Sequence, residues 1–234
     1  MKKKHSYIGI SFIILLFGIY VVRNIDRRIN ENDIVQGDRL NKVDKKSGKA
    51  SSLHTFNKVP DFEFVNQKGK IITNKDYYGK VYVVEFFFST CPTICPLMNQ
   101  QMVSIQNEFK GNSNFGIASI SITPEIDTPE ILNEYALRNN ITSTNWHLLT
   151  GQSEEIVYAL SNQGFKLFAG KGNEDHGGFE HSGLFALVDK KGNIRSRKDE
   201  YGNPIMYYRA LKEQTFPNQI EELKEDIKIL LSNE

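Results

Sequence analysis

The chain has 234 residues, of which 39% are hydrophobic and 24% are charged, so it is long enough for one globular core with additional segments. Its 29 Lys and Arg residues balance 28 Asp and Glu residues at a formal net charge of +1, which disfavours nucleic-acid binding. Its 2 cysteines are too few for a scaffold built on disulfides.

The amino terminus carries a targeting signal. Lysines at positions 2–4 precede an uncharged apolar run over residues 7–22, which is long enough for a signal-peptide core and slightly short for a spanning helix. No small-residue cleavage pattern follows, so we expect residues 1–22 to remain as a single-pass membrane anchor. The lysines favour the inner side, although three arginines follow the run. We therefore expect a cell-membrane protein with its domain on the extracytoplasmic (periplasmic) side.

Residues 23–58 are polar, without a sustained hydrophobic period, and this composition predicts a tether. From residue 59 onward, apolar runs typical of strands alternate with helical patterns, as expected of one α/β domain over residues 59–234. The run Val81–Phe88 predicts a strand buried on both faces, and a helical stripe predicts the last helix. That stripe consists of Ile220, Leu223, Ile227 and Leu230.

The cysteines form the motif Cys91-Pro-Thr-Ile-Cys95 directly after the predicted buried strand. A helix that starts there would stabilise a thiolate through its amino-terminal N–H groups. Residues four apart also share one helical face, with Cα atoms about 6 Å apart. Such a pair can close a disulfide or chelate a soft metal. A purely stabilising disulfide is the weaker interpretation, because it would close a very short loop.

At these residues the sequence resembles a known family. The stretch Gly79–Pro96, with its Cys-Pro-x-x-Cys-Pro motif after an aromatic-rich strand, is similar to the Sco/SenC copper-chaperone family. The segment Ser119–Thr128 is similar to that family's S-I-D-P-x-x-D-T segment, with Thr123 in place of the first aspartate. His181 matches the family's lone ligand histidine. The resemblance covers roughly residues 59–200.

The resemblance implies a thioredoxin-like domain with a central mixed sheet flanked by helices. It implies one copper ion per chain, as Cu(I) or Cu(II), bound by Cys91, Cys95 and His181. Two thiolates and an imidazole suit copper, whereas a closed structural zinc site needs a fourth protein ligand. By the same resemblance, the partner that receives the copper is the copper-bearing subunit of cytochrome c oxidase.

Five histidines compete to be the third ligand. His5 lies beside the predicted anchor, His54 lies in the predicted tether, and His147 lies in an apolar run where a core role is commoner. His176 sits in a glycine-containing loop, whereas His181 directly precedes the predicted strand that begins at Leu184. In a thioredoxin-like fold the loop that enters this strand faces the cysteine motif, so we favour His181 over His176.

Two functions share these residues. The first is a metallochaperone, which needs His181. The second is a thiol-disulfide oxidoreductase that reduces a partner's cysteines through a redox-active Cys91–Cys95 disulfide and does not need the histidine. A peroxiredoxin-type peroxidase is disfavoured, because Phe88 stands where that chemistry would want a threonine. No catalytic residue is assigned beyond the cysteine pair.

Overall fold

The computed structural model describes residues 11, 13–23, 53–173, 177–213 and 216–233. The chain divides into two compact units, Met1–Lys49 and Ala50–Glu234. In the first unit, residues 13–23 form a helix, α1. Within the described residues, no helix combines the length and the apolar character needed to cross a membrane. The anchor predicted for residues 1–22 falls partly outside the described residues and stays a prediction.

The described part of the second unit contains eleven strands and four α-helices. The strands are β1 (His54–Lys58), β2 (Glu63–Asn66), β3 (Ile71–Thr73), β4 (Val81–Phe87), β5 (Phe115–Ser121), β6 (Trp146–Thr150), β7 (Ala169–Lys171), β8 (Phe179–His181), β9 (Leu184–Val188), β10 (Asn193–Ser196) and β11 (Tyr208–Arg209). The helices are α2 (Cys95–Glu108), α3 (Pro129–Arg138), α4 (Glu154–Ala159) and α5 (Ile220–Asn233). A 3-10 turn (Asn74–Tyr77) and a π-helical turn (Leu160–Phe165) complete the described regular structure.

Nine strands form one mixed sheet in the order β1-β10-β9-β4-β5-β6-β2-β3, with β11 beside β9, and β7 and β8 form a separate hairpin. The central strands β4, β5 and β6 run parallel, whereas β9 and β10 are antiparallel to their neighbours. Helix α5 packs on β4 and on α2, while α3 packs on β6 and β2. The predicted α/β domain with a central mixed sheet is confirmed.

The first strand lies inside the stretch that the sequence assigns to the tether. Strand β1 is antiparallel to β10, with His54 opposite Ser196 and Lys58 opposite Asn193. The Arg195 guanidinium also donates a hydrogen bond of 3.1 Å to the carbonyl oxygen of Leu53. An edge strand with mostly exposed side chains needs few apolar residues, so its composition resembles that of a tether. The ordered domain therefore begins before the predicted boundary at residue 59.

The core is built on the two central strands. Every residue of β4 and β5 is buried, as their nearly continuous apolar runs predict. Helix α2 adds Met98, Met102 and Ile105 to this core, whereas Leu97 is 48% exposed. The spacing of Leu97, Met102, Ile105 and Phe109 in the sequence predicts one helical face. For Leu97 this prediction is wrong, because a spacing of four and then three residues from Met98 follows the helical period better.

The segment after β10 contains β11, which lies between the last helix, α5, and strand β9. Strand β11 is antiparallel to β9, with Tyr208 opposite Phe185. The Ala210 N–H donates a hydrogen bond of 2.9 Å to the carbonyl oxygen of Gly183, and the Tyr208 hydroxyl donates one of 2.7 Å to Asp226 of α5. The predicted stripe on α5 is buried, so this segment is held between the helix and the sheet.

The sheet topology brings three loops together at one edge. Parallel strands end at the same edge of a sheet, so the turns after β4 and after β5 are neighbours. Because β9 is antiparallel to β4, the segment before β9 also lies at that edge. The first of these loops carries Cys91, the second carries Asp127, and the third carries His181.

Candidate metal centre

The two cysteines occupy different local structures. Cys91 lies in the turn after β4, where its N–H donates a hydrogen bond of 3.3 Å to the Phe88 carbonyl oxygen. Cys95 is the first residue of α2, and Pro96 follows in the first turn, where its missing N–H has no helical partner to lose. The expectation that both cysteines share one helical face is therefore wrong. Both thiols are free and buried, with 7% and 3% of the residue exposed.

His181 reaches these thiols from a different element, the hairpin that β7 and β8 form. It is the last residue of β8, opposite Ala169 of β7, and the next N–H, of Ser182, donates a hydrogen bond of 2.9 Å to the Phe168 carbonyl oxygen. The Nε2 atom of His181 lies 2.9 Å from the Cys95 Sγ atom. The two sulfur atoms and one ring nitrogen all lie within 4.8 Å of one another. The structure thus brings together the three residues that the sequence singles out.

The other histidines do not join this group in the described part of the chain. His147 lies on β6 with its Nδ1 atom 3.1 Å from the Asn66 amide, and burial lowers its pKa to about 4. His54 lies on β1 with its ring 4.6 Å from that of Phe56. His5 and His176 are outside the described residues.

The second ring nitrogen of His181 fixes which nitrogen is available to a metal. The Nδ1 atom lies 3.1 Å from the carbonyl oxygen of Ser182. A carbonyl oxygen can only accept, so Nδ1 carries the proton, and in the neutral ring Nε2 keeps a free lone pair. This arrangement is typical of metal-binding histidines, whose other nitrogen donates to a carbonyl or carboxylate oxygen.

The two thiols share their protons unequally. A hydrogen bond from Cys95 lowers the pKa of Cys91, against the opposing effect of burial. The same bond to Cys91 raises the pKa of Cys95, and burial raises it further. Cys91 is therefore the thiolate of the pair and Cys95 holds the proton. A thiolate is the form that attacks disulfides and binds metals.

Aromatic side chains line the approach to the site. The Phe88 ring contacts the His181 ring edge to face at 5.8 Å between centroids, and it meets Phe179 at 5.7 Å. A cleft of about 410 Å³ opens over these groups. Its lining residues are Phe88, Cys91, Thr93, Ile94, Phe168, Phe179, Glu180 and His181. An apolar wall limits water at the ligands and strengthens the charge effects there.

One buried acid near the ligands was not predicted. Glu85 of β4 is 4% exposed and accepts a hydrogen bond of 2.6 Å from the Ser119 hydroxyl. Burial raises its pKa to about 7, against the opposing effect of the Ser119 bond. A signal existed in the sequence, because Glu85 is the one charged residue within the apolar run Val81–Phe88.

Comparisons with known proteins agree with this geometry. The profile of the SCO1/SenC family matches residues 50–215. The SCO1 protein homolog of Bacillus subtilis is 33% identical over 137 residues, which span 58% of this chain and 70% of that protein.

Two solved structures show the same fold. BsSco, described as a member of the Sco family of cytochrome c oxidase assembly proteins with a disulfide switch, has a TM-score of 0.63 and 26% identity, over 80% of this chain and 98% of that one. Copper-bound ScoI of Bradyrhizobium japonicum has a TM-score of 0.58 and 21% identity, over 74% of this chain and 99% of that one. At that identity it supports the fold alone.

The family profile spans more than half of the chain, including both cysteines and His181. The fold of the solved relatives matches the mixed sheet and its helices. The chain therefore belongs to the SCO1/SenC family.

Proposed function

We propose that this chain binds one copper ion, as Cu(I) or Cu(II), between Cys91, Cys95 and His181. We further propose that it delivers the copper to the copper-bearing subunit of cytochrome c oxidase during assembly of that enzyme. The observation that carries the proposal is the meeting of two thiol sulfurs and one imidazole nitrogen within 4.8 Å at a buried site.

The chemistry of this ligand set favours copper. Thiolates select soft ions such as Cu(I), and imidazole also suits Cu(II). Two thiolates with a neutral histidine leave a net charge of about −1 around Cu(I) and about 0 around Cu(II), so neither state needs a buried counterion. A closed structural zinc site takes four protein ligands, whereas the group found among the described residues has three.

The relatives support the choice of cargo and recipient. ScoI of Bradyrhizobium japonicum was solved with copper bound, and BsSco belongs to a family of cytochrome c oxidase assembly proteins. This chain belongs to the SCO1/SenC family and brings two thiols and an imidazole together, so we propose the same class of cargo for it.

A second function is supported by the state of the cysteines. The thiols are free, mutually close and unequal in acidity, which are the properties of a dithiol that exchanges with a disulfide. In this function the pair reduces a disulfide between two cysteines of the recipient to two thiols and itself becomes a Cys91–Cys95 disulfide. Copper binding and disulfide formation then exclude each other, because both use the same two sulfurs.

The proposed location is the outer face of the cell membrane, with residues 1–22 as the anchor. The support is the lysine-flanked apolar run and the need of a carrier to meet an exported recipient. A carboxyl-terminal fusion to a reporter that is active only after export should be active. Activity of a cytoplasm-only reporter at that terminus would contradict this location.

Copper titration of the reduced protein tests the binding function. Wild type should bind close to one copper per chain. The variant His181→Ala should lose affinity for Cu(II) more than for Cu(I), because two thiolates alone can hold the softer ion. The matched control is His147→Ala, since His147 does not belong to the group of three ligands and its ring is hydrogen-bonded to the Asn66 amide. Equal loss in both variants would refute the choice of His181.

The oxidised protein separates copper binding at the thiols from binding elsewhere. We expect the disulfide form to remain folded and to retain no copper after desalting, because the metal needs both thiolates. Stoichiometric copper on the intact disulfide form would move the metal to another group of ligands.

A further inference from the structure

We infer that Asp127 is a positioning residue of the metal centre: its buried carboxylate fixes the turn that carries Cys91. The inference deepens the proposed function and rests on it for the metal, although the effect on the Cys91 turn is independent of copper. Among the described residues, no hydrogen bond joins Asp127 to either ligand sulfur. Asp127 therefore acts on Cys91 through Ser89.

Asp127 is 0% exposed and joins two of the three loops at the site edge. From the turn after β4, Ser89 donates both its N–H, at 3.1 Å, and its hydroxyl to the carboxylate. The carboxylate also accepts hydrogen bonds from Ser121, the last residue of β5, at 2.6 Å and from Thr123 in the loop after β5 at 3.1 Å. All four donors are neutral amide or hydroxyl groups.

The position of the carboxylate is itself fixed. The Asp127 N–H donates a hydrogen bond of 2.8 Å to the Thr123 carbonyl oxygen. Thr128, the next residue, caps α3 by accepting a hydrogen bond from the Ile131 N–H. The loop after β5 therefore holds the acid in place, and the acid in turn holds Ser89, which lies 38 residues away in sequence.

This contact matters for the ligand geometry because Ser89 is two residues before Cys91. Cys91 has no place in a helix or strand, so its backbone lacks the regular hydrogen bonds that fix Cys95 and His181. Its N–H bonds to Phe88, within the same turn, at 3.3 Å. Metal ligands must stay within a few tenths of an ångström of their places, and Asp127 supplies side-chain hydrogen bonds that tie this turn to the loop after β5.

The polar residues around Asp127 are as deeply buried as the residues of the core. Ser121 and Thr123 are 0% and 1% exposed, and buried hydroxyls are tolerated because the carboxylate accepts from them. Thr123 stands where the resemblance leads one to expect an aspartate. With a hydroxyl there, Thr123 donates to Asp127, whereas a second carboxylate would compete for the same donors.

The test uses Ser89→Ala, which removes one donor to Asp127 and leaves the charge and the ligands intact. The first measurement is the rate of iodoacetamide alkylation of Cys91 in the reduced, metal-free protein at one fixed pH. We expect alkylation about tenfold faster than in wild type, the factor that corresponds to loss of one hydrogen bond to a charged group. The second measurement is the visible spectrum of the protein loaded with Cu(II), whose thiolate absorption should shift. Asp127→Ala should have the larger effect in both.

The matched control is Asp189→Asn. Asp189 is also 0% exposed and accepts hydrogen bonds from Lys191, Asn193 and Arg195, but it follows β9 at the end remote from His181. Its replacement should lower the midpoint of urea unfolding without changing Cys91 alkylation or the Cu(II) spectrum. Equal acceleration by Asp189→Asn would show that alkylation reports only global stability, and the inference would fall.

The outcomes separate this inference from the proposed function. If wild type binds no copper and Ser89→Ala still accelerates alkylation, the copper function fails and the positioning role stands. If wild type binds copper while Ser89→Ala and a folded Asp127→Ala variant leave both the alkylation rate and the spectrum unchanged, the positioning role fails and the copper function stands.

Discussion

Replacement of Glu85 by glutamine should remove a pH dependence of stability. The side chain is 4% exposed and accepts a hydrogen bond from the Ser119 hydroxyl, which in turn accepts one of 2.9 Å from the indole N–H of Trp146. Glutamine keeps an oxygen that can accept from Ser119 and cannot ionise. The comparison therefore isolates the charge of Glu85 from its packing.

The magnitude follows from the pKa of this carboxyl group. The ordinary value is 4.5, and burial raises the pKa of Glu85 to about 7. Below pH 4.5 the group is protonated in both the folded and the unfolded chain. Between the two values the folded protein keeps the proton that the unfolded chain releases, so stability falls as pH rises. At about 1.4 kcal/mol for each pH unit, the native state loses about 3 kcal/mol by the time the pH exceeds 7.

The assay is urea unfolding followed by circular dichroism and by the fluorescence of Trp146, the single tryptophan of the chain. All proteins compared, including the parent, carry Cys91→Ser and Cys95→Ser, because the thiols would titrate beside Glu85. From about pH 4 to pH 8, the free energy of unfolding of Glu85→Gln should gain about 3 kcal/mol relative to its parent. The control Glu63→Gln alters an exposed residue of β2. A difference between Glu85→Gln and its parent that does not change with pH, or a change that Glu63→Gln reproduces in full, would refute a neutral buried Glu85.

Two further predictions concern α2 and the thiols. Replacing Ile105, which is 0% exposed, with alanine should lower the free energy of unfolding by about 2–5 kcal/mol. Leu97→Ala on the same helix should change it by less than about 0.5 kcal/mol. Urea unfolding measures both free energies, and equal losses would contradict the assigned helix face. In the reduced metal-free protein near pH 6, limiting iodoacetamide should modify Cys91 before Cys95, because the pKa of Cys91 is lowered and that of Cys95 is raised. Peptide mass mapping resolves the order, and preferential labelling of Cys95 would reverse the assignment of the thiolate.

The sequence predicts the parts of the fold that depend on periodic burial. The run Val81–Phe88 is a buried strand, and the stripe of α5 faces the core, since burial on one or both faces leaves a repeating pattern. Strand β1 and strand β11 leave no such pattern. They are short pieces at or near the sheet margin, and their pairing with β10 and β9 is made by backbone groups that any sequence possesses.

The site is predictable only as far as its ligands have distinctive chemistry. Cys91 and Cys95 stand out because they are the two cysteines of the chain, and His181 stands out through its place before a strand. The start of α2 at Cys95 was missed, since Pro92 and Pro96 are equally suited to a first helical turn. The contact of Asp127 with Ser89 was missed because an aspartate before a helix is also the common mark of a cap.

In either proposed function, the unequal exposure of the ligands should set the order of events. The cleft is lined by Cys91 and His181 but not by Cys95, which lies against the His181 ring nitrogen at 2.9 Å. A partner's disulfide therefore reaches Cys91 first, and Cys91 is also the thiolate of the pair. In thiol exchange the Cys91 thiolate would attack one sulfur of that disulfide, forming a mixed disulfide and releasing the other sulfur as a thiolate. Cys95 would then attack Cys91 and release the second sulfur of the partner, leaving a Cys91–Cys95 disulfide. In copper transfer the bond to Cys91 would be exchanged first, with Cys95 and His181 retaining the ion until the partner's ligands are in place. Both reactions would thus begin at Cys91, because its sulfur belongs to the more acidic of the two thiols and also lines the cleft.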